Sequence, residues 1–443
     1  MARRQAACLI TGLLLAAFPA LGQEAELDDA PAPASVYEIE SPLQRAYPPP
    51  EDLPPRFPWL RQQLATLPPF LADSRLGVRF RTYWLRQDRT TGRLREGWAA
   101  GGSVRYRSGW LADVFAVELE GFTSQPIVAQ ASRDGTLLLR EPGQRSLNVL
   151  AVANGKLRLG GVVATGYRQK LDLPYLNRRD NRMVPVTFEA AKIAKEAGPV
   201  RFAAGYAWRF KPRAADEFEP LSRAFGVSES RGAAFGNLLW EPGETSHLGA
   251  SVYVIPDVLA TSYAAGHHDL SLSDEIGVRL EAQLTHQATV GDELGPSFET
   301  WNFGARSSAS WRGAVFRLAF SVTGENNRIE SPYGSNPSYI TLMQRSFTQA
   351  DEKALLTSFS YDFAGLGVEG LSAILNFAQS WDGVVAGVRS SARTLDLTAD
   401  YRLGSGRLEG LWLRVRASWL HVDSDPHDGT DFRVILRYDL PVI

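Results

Sequence analysis

From Val78 onward the chain falls into segments that alternate between apolar and polar side chains. Val78, Phe80 and Trp84 are interleaved with Arg79, Arg81 and Tyr83. Trp98, Val104 and Tyr106 are interleaved with Ser103, Arg105 and Arg107. Leu411, Leu413, Val415, Ala417 and Trp419 enclose Trp412, Arg414, Arg416 and Ser418, and Phe432, Val434, Leu436, Tyr438 and Leu440 enclose Arg433, Ile435, Arg437 and Asp439. A period of two marks strands with one apolar and one polar face. In a soluble sandwich the apolar face looks inward. In a membrane barrel it looks outward at lipid, and the polar face lines a lumen.

Counting strands separates the two. The pattern predicts eighteen: 77–86, 96–107, 110–121, 146–154, 157–166, 186–196, 200–210, 232–240, 246–255, 258–265, 273–287, 298–310, 313–323, 353–363, 371–381, 392–402, 409–421 and 430–440. Short connections (Asn154-Gly155, Ala197-Gly198-Pro199, Glu241-Pro242-Gly243, Arg312-Gly313, Gly404-Ser405-Gly406) alternate with longer ones at 122–145, 167–185, 211–231, 288–297 and 324–352. The connection at 255–258 is short where a long one belongs. Short periplasmic turns, long outer loops and both termini inside describe an outer-membrane barrel. The expected fold is all-β, a closed antiparallel transmembrane barrel over residues 74–443.

The N-terminus fits export. Arg3 and Arg4 precede an apolar run from Ala6 to Ala17, and Ala20-Leu21-Gly22 offers a small-residue cleavage site. Residues 1–22 therefore read as a signal peptide. The single cysteine, Cys8, leaves with it, which excludes a disulfide framework or a multi-thiolate metal site. Residues 23–73 carry eleven prolines between Pro31 and Pro69 and read as a periplasmic arm. Trp59, Leu60, Leu64, Leu67 and Phe70 are spaced for a short docking helix or a packed tail. An exported chain with no second hydrophobic span is periplasmic, secreted, or a barrel in the outer membrane of a Gram-negative bacterium.

Composition raises one question. The formal net charge is −2, which argues against a nucleic-acid binder, yet only six of the 47 basic residues are lysine. On the strand phases above, Arg79, Arg81, Arg105, Arg107, Arg414, Arg416, Arg433 and Arg437 face the lumen. They sit on the first two and last two strands, which become neighbours when a barrel closes. Guanidinium keeps its charge and grips a carboxylate through two parallel bonds. A row of such sites hands an anion along, each weak enough to release it. The competing reading pairs these arginines with lumen acids such as Glu118, Glu120 and Asp439. Loop 167–185, with Tyr175, Arg178, Asp180 and Arg182, is suited to fold inward as a constriction; loop 324–352 adds Glu325, Glu330 and Asp351, acids that could face the basic wall and hold a substrate ammonium.

Several segments resemble the OprD-type family of outer-membrane specific porins. Asn181-Arg182-Met183-Val184-Pro185-Val186-Thr187-Phe188-Glu189-Ala190 resembles the end of that family's third loop. Tyr361-Asp362-Phe363-Ala364-Gly365-Leu366-Gly367-Val368-Glu369-Gly370-Leu371 resembles its Tyr-Asp-Phe turn. Trp98 with Ser108-Gly109 resembles its second-strand segment, and Phe432-Arg433 to Tyr438 its closing strand. The resemblance covers residues 73–443. It implies an eighteen-stranded channel, monomeric or weakly trimeric, narrowed by inward loops and set among lipid and lipopolysaccharide. It further implies uptake of small anionic or zwitterionic solutes, commonly carboxylates.

Catalytic motifs are scarce. His267-His268-Asp269 falls in an expected periplasmic turn and lacks a third metal ligand at useful spacing. No nucleophile elbow or phosphate loop is present, so no catalytic residue, metal or cofactor is assigned. Two other readings stay open: a uronate-polysaccharide export barrel, which also uses an arginine-rich lumen, and a barrel enzyme.

Overall fold

The structure, a computed structural model, describes residues 54–89, 92–385, 387–423 and 428–443. The expected signal peptide, and the arm as far as residue 53, lie outside the described residues.

Eighteen strands form the barrel. In chain order they are β1 (Arg75–Arg89), β2 (Arg95–Arg107), β3 (Phe115–Ala129), β4 (Leu147–Leu159), β5 (Val162–Gln169), β6 (Thr187–Ala197), β7 (Val200–Lys211), β8 (Ala233–Trp240) and β9 (Ser246–Ile255). There follow β10 (Leu259–Ser271), β11 (Ile276–Ala288), β12 (Glu299–Trp311), β13 (Ala314–Thr323), β14 (Lys353–Asp362), β15 (Leu371–Val385), β16 (Val388–Arg402), β17 (Trp412–Val422) and β18 (Gly429–Pro441). Each pairs antiparallel with the next. β18 returns to β1 over a register from Gly77↔Pro441 to Arg89↔Gly429. Closure matters physically, because hydrocarbon offers no partner to an open strand edge.

Turn chemistry explains where strands reverse. Arg312 and Gly313 both have positive φ, the mirror-image hairpin turn whose twist matches the strands beside it. The Tyr-Asp-Phe segment ends β14 with a 3₁₀ turn over Phe363–Leu366, where the Asp362 carboxylate accepts from the Ala364 N–H at 3.0 Å. Gly370 closes that turn at φ 79°, and a Cβ there would lie 2.0 Å from the Arg402 carbonyl oxygen.

Three expectations shift. Asn154-Gly155 is no turn: β4 continues through it and reverses at Gly160-Gly161, both at positive φ. Gly155 instead makes room for the Phe115 ring, which a Cβ would meet at 3.3 Å. The strand expected over 110–121 begins at Phe115 and runs on to Ala129. His267, His268 and Asp269 lie within β10, held by ladder pairs to β9 and β11, so the turn falls after them. Asn154, His267 and Asp269 are polar because they take the lumen-facing phase of longer strands, so their polarity marks the inner face and not a turn.

Among the described residues before the barrel there are two short helices, α1 (Pro58–Leu64) and α2 (Pro69–Ala72). Both begin at proline, whose missing N–H costs nothing in a first turn. They lie against the strand ends where the chain enters and leaves the barrel. The Gly109 N–H donates to the Phe70 carbonyl at 3.0 Å, and the Arg56 N–H to that of Pro441 at 2.8 Å.

Large apolar side chains such as Phe80, Leu119, Phe303, Phe359, Phe377 and Phe432 are exposed on the outer face. Among the described residues the packed core is inside the barrel, in three clusters where loops meet inward-facing strand residues. Met183, Val184 and Leu138 pack on Tyr83, Leu85 and Phe122. Tyr175, Leu176 and Tyr333 pack on Phe210, Tyr253 and Tyr263. Tyr339, Ile340 and Phe347 pack on Ala354, Leu356 and Leu420.

Candidate functional site

Ring closure sets β17, β18, β1 and β2 side by side, and all eight arginines lie on the face opposite the exposed apolar residues. Register decides their neighbours. Arg79 stands opposite Asp439, and Arg81 opposite Arg437. Like charges directly opposite repel, and two carboxylates relieve this pair. Asp439 accepts from Arg79 Nε at 2.7 Å and from Arg437 Nε at 2.6 Å. Asp180, from the loop after β5, accepts from Arg81 at 2.9 Å and from Arg79 at 3.4 Å.

The other arginines are also held. Arg105 pairs with Glu118 at 2.6 Å, and Lys156 reaches the same carboxylate at 3.5 Å. Arg414 forks onto Asp400 at 2.6 and 3.0 Å and lies over the Trp412 ring. Arg416 donates to Thr398 Oγ1 at 3.1 Å. Arg107 is buried near the far end of β2. Arg433 forks onto Asp431 and donates to the Met343 carbonyl at 3.1 Å; at 3% exposure it is sealed beneath the loop after β13. The wall is thus a lattice of guanidinium and carboxylate in which guanidinium is the more numerous. Of the acids expected as partners, Asp439 and Glu118 hold arginines, while Glu120 takes Lys170 and stands 4.0 Å from Arg105. Asp431 and Asp400 are further partners; Asp431 has the same phase as Arg433 and is legible in the alternation. Asp400 belongs to β16, one strand beyond those counted.

The loop over residues 170–186 crosses the interior. Its Asp180 bonds β1, while its Tyr175 hydroxyl pairs with Thr285 on β11 at 2.8 Å and its ring meets Tyr263 on β10 edge-on at 6.2 Å. Those strands stand on opposite sides of the ring. A two-residue ladder, Asp172–Leu173 against Leu176–Asn177, stiffens its tip. Tyr175 is fully buried and anchors the loop; it does not face open water. Arg178 pairs with Asp172 at 3.2 Å and stays half exposed. Asp172 raises its guanidinium pKa above the ordinary value. The Arg182 backbone carbonyl accepts from Arg81, and its Nε donates to the Thr136 carbonyl at 3.1 Å.

The loop over residues 324–352 meets the wall differently from expectation. Glu330 pairs with Arg328, and Asp351 with Arg389. The contacts to the wall come from Met343, whose carbonyl accepts from Arg433 at 3.1 Å, and from Gln344, which donates to Ser418 Oγ at 3.0 Å; the Met343 N–H donates to Asp396 on the neighbouring β16 at 2.8 Å. Asn177 joins the two loops, accepting from the Ser335 N–H at 2.7 Å and donating to the Ser335 carbonyl at 3.1 Å. Loops 130–146 and 212–232 close in as well: Arg182 holds the first, and Arg213 donates to Asn181 from the second. Nothing in the composition of those two loops marked them as interior.

This architecture has known counterparts. Among solved structures the barrel is similar to OccK9 (OpdG) of Pseudomonas aeruginosa, with a TM-score of 0.80 and 22% identity, covering 84% of this chain and 100% of that one. It is similar to Pseudomonas aeruginosa OpdK with vanillate, at TM-score 0.77, 22% identity and the same two coverages. A BenF-like porin from Pseudomonas fluorescens Pf-5 matches at TM-score 0.78 and 19% identity, again over 84% and 100%. No curated protein sequence matches the chain. The family model for outer membrane porin, OprD family, matches residues 68–442. Closed barrel, inward loops and that match agree: the chain belongs to the OprD family of outer membrane porins, substrate-specific channels of the Gram-negative outer membrane.

Proposed function

We propose that this porin takes up small carboxylate-bearing solutes passively, along the inner wall formed by β17, β18, β1 and β2. The carrying observation is the lattice around Arg79, Arg81 and Arg437, where three guanidiniums face two carboxylates. Positive charge in excess of its own partners, in a narrowed lumen, attracts an anion and yields it to the next site. Loop 170–186 supplies the narrowing, with Arg178, Asp180 and Arg182 beside the wall. The similar OpdK structure bears vanillate, itself an aromatic carboxylate, which favours this solute class. Residues 1–22 serve export, and residues 23–73 precede the barrel as a periplasmic arm. The chain acts as a channel and not as an enzyme.

The test is reversal potential in planar bilayers under a salt gradient. Arg105→Gln with Arg416→Gln leaves Glu118 paired to Lys156, so the variant removes charge without stranding a carboxylate. Reversal potential is expected to move toward cations, and benzoate flux to drop severalfold. An unchanged reversal potential refutes the basic-wall reading. Oligouronates passing as readily as benzoate would point to polymer export instead.

A further inference from the structure

The outer face of the barrel is mostly covered by large side chains, but between β3 and β7 it is hollow. Two ladder rows build the hollow. In one, Gly155 stands opposite Gly166, and Gly166 opposite Ala191. In the next row toward the short turns, Leu157 stands opposite Ala164, and Ala164 opposite Ile193. Phe115 rims one side and Tyr206 the other. The cavity has a volume of about 680 Å³ and an almost wholly apolar lining. A Cβ added to Gly166 would meet nothing within 4 Å, so the floor is open there.

Its position limits what can fill it. These residues share the phase of exposed Leu119, Leu157 and Ile193, which is the lipid side. They lie toward the short-turn end of β4 and β5, the periplasmic half of the barrel, and so within the inner leaflet. The row beyond, about two residues or roughly 7 Å along the strand, holds Leu159, Val162 and Lys195. Lys195 shares the lipid-facing phase and lies along the β4–β5 turn, its Cε 3.9 Å from where a Gly161 Cβ would sit. An apolar trough in the hydrocarbon, ending at an ammonium level with the headgroups, is complementary to a lipid whose phosphate is anionic.

We propose that this hollow is a binding site for one inner-leaflet phospholipid, its acyl chain in the trough and its phosphate beside Lys195. Lipopolysaccharide is excluded by depth, since its chains occupy the outer leaflet. Small floor residues let the chain approach the sheet closely, so van der Waals contact holds it where bulk lipid would exchange.

The test is native mass spectrometry of the full-length mature porin, delipidated in mild detergent and titrated with palmitoyl-oleoyl phosphatidylglycerol or with lipid A. Wild type is expected to retain one phosphatidylglycerol and no lipid A. Gly166→Leu fills the trough and should abolish retention, while wild-type single-channel conductance shows that the barrel is intact. Lys195→Gln should weaken retention about fivefold, the worth of one cation near a headgroup. Equal retention by wild type and Gly166→Leu, or preference for lipid A, would overturn the proposal. So would a wild-type oligomer that Gly166→Leu dissociates, which would assign the hollow to a second copy of the chain.

Discussion

Asp180 sits between the guanidiniums of Arg81 and Arg79, at 2.9 and 3.4 Å. Burial works to raise its carboxyl pKa, but Arg81 and then Arg79 outweigh burial and hold it well below the ordinary 3.8. A depressed carboxyl stabilises its docked state fully above the ordinary value and loses that contribution as pH falls through the docked one. Conductance is therefore expected to stay level from neutral pH down to about 4, with the loop loosening only below. Asp180→Asn keeps the shape and removes the charge. The loop should lose about 1–3 kcal/mol of anchoring, read as more frequent open-channel fluctuation at every pH; wild-type noise in that variant would show that Asp180 does not hold the loop.

At the scale of elements, the interior loops do what the strands cannot. An eighteen-stranded ring is wide enough to leave an aqueous channel if nothing fills it. An irregular segment cannot face lipid, but it can lie inside against arginines that bond its carbonyls. Deleting residues 174–182 removes Tyr175, Asn177 and Asp180, the three anchors to β11, to loop 324–352 and to β1. Conductance should rise severalfold and selectivity should weaken; unaltered conductance would mean that other loops set the bore. Turns give a separate prediction. Gly370→Ala places a Cβ against the Arg402 carbonyl at positive φ, so it should lower thermal stability more than Gly365→Ala, which meets nothing within 4 Å.

For the whole molecule, lipid on one side and packed loops on the other reverse the usual inside-out rule. Phe377 is exposed near the middle of β15. Phe377→Arg should cost about 2–4 kcal/mol at the depth of the bilayer centre, measured by denaturant unfolding in lipid vesicles. A loss no larger than that of Phe377→Leu would place this face away from hydrocarbon.

Strand number, inside-out phase and the closing of β18 on β1 were legible because backbone pairing in a membrane admits few solutions. Period-two alternation is a local property that each strand carries in its own residues, and so are the mirror-image turn at Arg312-Gly313 and the Tyr-Asp-Phe reversal. The eight arginines could be placed on one wall for the same reason. What alternation could not show is which partner each arginine takes. Asp400 is legible only when β16 is set beside β17, and Asp180 only when a loop is known to cross the ring. Tyr175 reads as a polar lumen residue in the sequence and is an interior anchor in the fold. Strand phase is fixed between adjacent residues, whereas burial inside the barrel depends on contacts between loops far apart in the chain, and those only the tertiary structure decides.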